Sequence, residues 1–486
     1  MKSENGIQYF GMWKVNGLKG QNRKLPGVLV YDNERRTIVL KVQLYYPLGT
    51  ERILDWPRVR DLGIIKGSVG TDGEMVLVGC RPLRLGGGRA RGGNVHELEI
   101  SIRYVFRDYK CGRGNSIKLK NVSVDFGEIL GWTRTSAYQV ERTSKPRFFS
   151  GRIWKSVEFG YKFPLPSGGD VSFTPYASCP GDVLVTKTIS FTQGVRTNFR
   201  YKSSQPWDKI RDDLSLIRNL VEFATTGVVG IEEGSFSQAR DKWSRKAFEP
   251  KDYEQILFGD HVVGRTADAY DLNYVFTLPE LMAVIAKHPK TWRKRFGDLS
   301  LALRLYDEIV RMDADRQDVI FVALVQLLEH LHSLVYSDKA NAYFARMRDV
   351  WGDDEKQVEE KKRRMCGTRD PGKPNLKMRI YEMTRVKGSW LVDNPIGDDG
   401  IVFAESVANT RHYFTHHNIV DRAKAMTPEK VEDVSRFLRS LVRFYILKKL
   451  GFSEKFALRR MGWSDENMHE LFSLKHRPIG EEKIDV

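Results

Sequence analysis

Between Ile7 and about Tyr201 the hydrophobic positions come in short runs broken by turn residues, over 27–31, 37–45, 74–78, 97–105, 117–126, 154–163 and 183–191. In the run 97–105, Leu98, Ile100, Ile102 and Tyr104 fall on one side while Glu97, Glu99, Ser101 and Arg103 fall on the other. That is the period of a strand with one buried face. Asp32-Asn33, Thr71-Asp72-Gly73 and Pro166-Ser167-Gly168-Gly169 separate runs at hairpin-like intervals. The pattern predicts a largely antiparallel β domain of sandwich or barrel-like architecture.

At Pro206 the period changes. Trp207, Ile210, Leu214, Ile217, Leu220, Val221 and Phe223 recur at helical spacing, with Gly227 placed to stop the helix. The stretch 227–273 mixes strand and loop character and is assigned to the same domain. After Thr277 the chain is almost wholly helical, with helices expected over 278–287, 289–312, 316–337, 352–365, 375–387, 401–417, 428–450 and 454–461. The helix 428–450 has clear ends: Thr427 as N-cap, Pro428 as first residue, and Lys448, Lys449 and Gly451 at the close. The expected organisation is α+β and multidomain. A β-rich N-terminal domain over 1–290, with a closing helix at about 206–226, precedes an all-α bundle over 291–486.

Composition changes this picture only at the edges. A chain of 486 residues with 41% hydrophobic content can bury two or three cores. The four cysteines, Cys80, Cys111, Cys179 and Cys366, have no paired spacing. That spacing argues against a disulfide framework and a zinc site, and it suits a reducing cytoplasm. No signal-like run opens the chain, and the apolar stretch 318–335 is interrupted by Gln326, Glu329, His330 and His332. Neither secretion nor a membrane partner is expected. A formal charge of +17 points instead to a polyanion such as nucleic acid.

Several stretches invite chemistry and are set aside. The segment Arg84-Leu85-Gly86-Gly87-Gly88-Arg89-Ala90-Arg91-Gly92-Gly93 is followed by a strand and lacks a Lys-Ser or Lys-Thr pair. It is read first as a mere long hairpin connection and next as a flexible loop with some affinity for RNA backbone, not as a nucleotide loop. Glu359 with Arg363 and Glu360 with Arg364 are four apart on a helix and read as a solvated, ion-paired face. Adjacent carboxylates at Asp353-Asp354 and Asp398-Asp399 diverge and do not converge on a metal. His330 and His332, two apart, face differently and are assigned to packing.

Of the ten histidines, His412, His416 and His417 cluster directly behind Arg411. On a helix, Phe403, Val407 and Phe414 form an apolar stripe on which Arg411 lies. A guanidinium there needs a carboxylate inside the fold, for which Glu329 is the nominated partner, or lines a cleft open to an anion. Arginine and histidine suit metal-free RNA cleavage, in which one group takes the 2′-OH proton, one protonates the leaving oxygen and a cation steadies the phosphorane. Arg411 is assigned to the scissile phosphate, His416 to proton transfer and His412 to a helping role, with His417 and Glu329 as supporting residues. No cofactor or metal is expected. Two alternatives stay open: histidines that merely solvate a helix end near its dipole, and a His412/His416 zinc site lacking a recognisable third ligand. Residues five apart lie about 140° from each other on a helix, so Arg411 and His416 require a π-bulge, fraying or a second protomer to meet.

The run Arg411-His412-Tyr413-Phe414-Thr415-His416 resembles the signature of HEPN ribonucleases, an arginine, a polar residue, three more and a histidine. The whole layout, opening with Gly11-Met12-Trp13 and Leu25-Pro26-Gly27, resembles the ApeA family of bacterial anti-phage abortive-infection proteins, with His412 where the family often has Asn or Asp. The resemblance implies a C-terminal HEPN nuclease domain that cuts RNA, structured RNA such as tRNA included, without metal. It further implies a homodimer or higher homo-oligomer in the bacterial cytoplasm, and an N-terminal domain that senses a phage protein and restrains the nuclease. The alternative from another class is a non-catalytic HEPN module that binds RNA or protein.

Overall fold

The computed structural model describes residues 2–3, 6–15, 24–32, 37–47, 61–70, 73–90, 93–109, 116–127, 129–135, 160–178, 192–231, 233–237, 254–258, 274–312, 315–336, 339–352, 354–366, 372–384, 399–416 and 424–460. The expected strand residues 154–159 and 183–191, and also Cys111, Cys179, Asp353, Asp398, Met461 and the end of the helix expected over 375–387, lie outside the described residues. The chain divides into two compact units, Met1–Met282 and Ala283–Val486.

The first unit is an antiparallel sheet, as the alternation predicts. Its strands are β1 (Lys2–Ser3), β2 (Gly6–Lys14), β3 (Leu25–Asp32), β4 (Thr37–Pro47), β5 (Ile65–Val69), β6 (Gly73–Val78), β7 (Arg81–Ala90), β8 (Gly93–Ile102), β9 (Tyr104–Arg107), β10 (Lys118–Asp125), β11 (Tyr161–Pro164), β12 (Asp170–Ser178), β13 (Thr192–Pro206), β14 (Glu233–Ser237) and β15 (Glu254–Phe258). Among the described residues these fifteen strands join in the order β11-β12-β13-β10-β14-β15-β9-β6-β5-β2-β3-β4-β8-β7, with β1 beside β2. The path is not that of simple consecutive hairpins, because β10 pairs with β13 and β14, and β15 with β9. Within the glycine-rich segment, residues 84–90 are strand and not loop. Arg84 to Ala90 belong to β7 and pair with β8 residues from Glu99 back to Gly93.

Alternation builds the core. Leu98, Ile100 and Ile102 are all fully buried, opposite Val42, Leu40 and Ile38 respectively across the ladder. Trp13 is enclosed as well, and its Nε1 donates to the Gly27 carbonyl at 3.2 Å. Its ring lies on the backbone of Gly67, where an added Cβ would stand 2.1 Å from Trp13 Cε3. Gly67→Ala must therefore displace a fully buried indole. The expected loss is about 2 kcal/mol of stability, read as a lower denaturant midpoint at unchanged m-value.

The closing helix is α2 (Trp207–Thr225), introduced after a four-residue helix, α1 (Leu130–Thr133). Trp207 packs edge-on against Phe106 and Tyr104, with ring centroids 4.9 and 5.0 Å away. Asp213, buried on α2, accepts hydrogen bonds from Ser167 Oγ (2.5 Å) and Tyr201 Oη (2.8 Å), which tie the helix to the sheet. Burial pushes its carboxyl above the usual range, partly opposed by those bonds.

The second unit is a bundle of helices. These are α3 (Leu278–Lys287), within which the division falls, α4 (Pro289–Asp298), α5 (Ser300–Val310), α6 (Gln317–Val335), α7 (Ala340–Trp351), α8 (Glu355–Cys366), α9 (Leu376–Met383), α10 (Asp399–His416), α11 (Pro428–Leu450) and α12 (Glu454–Arg459). The single helix expected over 289–312 is two, separated at Leu299, whose side chain is fully buried where the chain turns after Gly297 and Asp298. Helix α7 was not anticipated, although Tyr343, Met347 and Trp351, each four apart, form its buried stripe. Asn375 caps α9 by accepting from Met378 N at 3.0 Å, and Ser453 caps α12. Thr427 occupies the N-cap of α11 without a side-chain capping bond. The central helix is α6, which packs on α11, α5, α10 and α9. It is long and apolar enough to cross a membrane, a property that bundle-core helices share.

Candidate active site

Helix α10 is held by its small and apolar face. Ile401, Ala404, Val407 and Thr410 are fully buried, while Phe403 and Phe414 are half-buried. The buried stripe thus sits on the Ile401–Ala404–Val407–Thr410 line and not on Phe403–Val407–Phe414. Phe403 meets Phe437 of α11 at 5.7 Å, and Phe414 meets Phe321 of α6 at 6.0 Å, both edge-on. Thr410 fixes the approach to α11, since its Oγ1 accepts from Met426 N at 2.9 Å and donates to the Ser406 carbonyl at 2.8 Å. At the other end, Glu405 receives Lys377 at 3.4 Å and Arg364 at 3.7 Å.

Arg411 follows Thr410 and therefore flanks the buried line. Its side chain is half-buried, and its Nε is enclosed with no hydrogen-bond partner among the described residues. Glu329 is half-buried on α6, and no ion pair joins it to Arg411 among the described residues; its carbonyl accepts from Arg379 Nη1 at 3.4 Å. His412 and His416 are exposed, one turn apart, with ring centroids 4.8 Å from each other and planes at 66°. The helix remains α-helical through His416, without a π turn or fraying, so Arg411 and His416 keep the wide angular separation of an ideal helix. His417 lies outside the described residues. No third His, Cys, Asp or Glu joins His412 and His416 among the described residues.

Glu382 on α9, and not Glu329, is a buried carboxylate of this unit. His332 Nε2 lies 2.8 Å from Glu382 Oε2, and Arg346 of α7 donates through Nε at 2.5 Å and Nη2 at 3.0 Å. Both His332 and Glu382 are almost wholly enclosed. Burial pushes the Glu382 carboxyl up, but the hydrogen bonds and charge of His332 and Arg346 outweigh it and hold the group below the usual carboxylate range. Tyr336 stacks its ring over Arg346 at 5.1 Å. Tyr445 of α11 approaches the Tyr336 hydroxyl at 3.4 Å and donates to the Met383 carbonyl at 2.7 Å. His332 thus packs as anticipated, but as part of a charged network. Neither Arg346 nor Glu382 carries a local sequence signal, because the pair is separated by 36 residues.

The structure is thus an antiparallel β unit followed by a helical unit, with an arginine and two exposed histidines on one helix of the bundle. Comparison with family models makes this specific: ApeA N-terminal domain 1 matches residues 8–261 and Apea-like HEPN matches residues 322–456. The chain belongs to the ApeA family and is an ApeA-like, defence-associated HEPN protein. No curated protein and no solved structure matches it. Most of α6 and all of α7 to α11, and with them Arg411, His412 and His416, fall inside the HEPN match.

Proposed function

We propose that the chain is a metal-independent endoribonuclease of abortive infection, with Arg411, His412 and His416 as its catalytic half-site. The observation that carries this reading is the pair of exposed, edge-on histidines beside an arginine whose Nε has no partner among the described residues. The Arg411 guanidinium binds the scissile phosphate and steadies its added charge. One imidazole takes the 2′-OH proton as that oxygen attacks phosphorus, and a second protonates the departing 5′ oxygen. The products are a 2′,3′-cyclic phosphate and a 5′-hydroxyl. A regular helix keeps Arg411 away from His416, so the complete site uses Arg411 of one protomer and His416 of another across a homodimer or higher oligomer. His417 and Glu329 support the site. The N-terminal unit restrains the nuclease in the bacterial cytoplasm until a phage protein releases it, and structured RNA such as tRNA is the substrate class.

The test is to map RNA ends in cells expressing the protein, with and without phage, and to repeat cleavage of purified RNA in EDTA. New cyclic-phosphate ends appearing only in infected cells, with cleavage persisting in EDTA, are expected. A parent protein that binds RNA but cuts none under any trigger would leave only a non-catalytic binding module.

A further inference from the structure

Several cations of the second unit meet carboxylates. Arg311 pairs with Asp307 (2.9 Å), Arg436 with Asp433 (2.7 Å), Lys448 with Glu454 (3.1 Å) and Lys449 with Asp298 (3.2 Å). Arg439 and Arg443, one turn apart on α11, have no carboxylate partner among the described residues. Arg443 Nε donates to Tyr306 Oη at 2.5 Å, and its guanidinium stands 6.0 Å from that ring. Arg439 is half-buried, and its Nε is enclosed without a hydrogen-bond partner among the described residues. One turn earlier, Ser435 is only 3% exposed, and its Oγ also has no partner among the described residues. Residues four apart share a helix face, so Ser435, Arg439 and Arg443 form one row of donors.

Such a row works against stability. Like charges one turn apart repel, and a half-buried guanidinium gives up hydration that nothing in the described chain replaces. Burial lowers the Arg439 pKa, and Arg443 lowers it further against the opposing effect of Tyr306. An anion seated on the row would relieve both effects. Guanidinium groups match phosphate oxygens bidentately, and a hydroxyl can serve one more oxygen. A paired guanidinium and hydroxyl set offers more donors and charge than one carboxylate can use.

We propose that Ser435, Arg439 and Arg443 form a phosphate-binding site on α11, separate from the α10 motif and suited to the phosphate of a ribonucleotide, free or within RNA. The site binds whether or not the protein cleaves, so it does not depend on the ribonuclease reading. The test uses the full chain carrying His416→Ala, so that any RNA probe stays intact. Inorganic phosphate and AMP are titrated by calorimetry, and 5′-phosphorylated and 5′-hydroxyl oligoribonucleotides by fluorescence anisotropy. Adding Arg439→Gln should weaken phosphate-bearing probes by about tenfold or more, and Arg443→Gln should weaken them less, since Tyr306 retains part of that arrangement. Arg439→Lys, which keeps the charge, should recover part of the affinity; Arg436→Gln should change nothing. Loss confined to oligoribonucleotides assigns the site to backbone phosphate, and loss shared by AMP and inorganic phosphate assigns it to a free phosphate group. Binding by Arg439→Gln and Arg443→Gln equal to the parent, or no binding of any probe by the parent, overturns the proposal. Circular dichroism of each variant separates lost binding from lost folding. Cleavage is scored separately in protein retaining His416, so the two readings fail independently.

Discussion

His416→Ala should lower the single-turnover rate of RNA cleavage in EDTA by about 10²- to 10⁴-fold, the usual worth of a positioned general acid or base. Arg411→Ala should cost about 10²- to 10³-fold, because it removes the cation facing the developing phosphorane charge. His416 is exposed at the end of α10, so its replacement should leave stability within about 0.5 kcal/mol. A cleavage defect would then be chemical and not a folding loss. His412→Ala should fall between the parent and His416→Ala. Mixing inactive Arg411→Ala with inactive His416→Ala protein gives the decisive control. If the site is shared between protomers, a mixed dimer regains one intact site and up to about half of the parental activity returns. Undiminished cleavage by both single variants would remove the catalytic assignment, and absence of rescue would place both groups in one chain.

The second large effect concerns stability. Glu382→Gln keeps the shape of the buried network but removes the charge that Arg346 and His332 face. Breaking one partner of a buried ion pair costs about 3–5 kcal/mol, and the partial exposure of Arg346 favours the lower end. Denaturant unfolding of the full chain should show this loss in the transition that contains the second unit. The same group shapes the acid limb. The carboxyl of Glu382 is held below its unfolded value, so its stabilisation is complete above about pH 4.3 and drains away as pH falls through the folded value. Burial alone lowers the pKa of His330, so below about pH 6.5 the unfolded chain takes up that proton first and stability falls there too. Glu382→Gln should keep the upper step and lose the lower one. An acid limb identical to the parent would show that the network contributes no linked charge.

How much of this was legible depends on range. The alternation of Leu98, Ile100 and Ile102 specified a half-buried strand from local pattern alone, and the structure buries all three. The ends of α11 likewise needed only neighbours within a few turns. The stripe of α7 was equally local and was passed over. The glycine-rich β7 misled for a different reason, because its strand character comes from pairing with β8 and not from its own side chains. The strand order was not legible either, since β10 finds β13 and β14 across long stretches of chain.

At the site, sequence by itself determined that Arg411, His412 and His416 share the end of one helix, because 3.6-residue periodicity fixes relative angle once a helix forms. It also determined the two-part organisation and the family resemblance, both carried by residue order. Tertiary structure alone decided that Glu382 is a buried carboxylate, held by Arg346 and His332, and that Glu329 makes no pair with Arg411 among the described residues. It alone decided as well that the Nε groups of Arg411 and Arg439 are enclosed without partners among the described residues. The physical reason is that burial and charge pairing depend on which distant segments converge, while periodicity reports only how neighbouring residues face along one element.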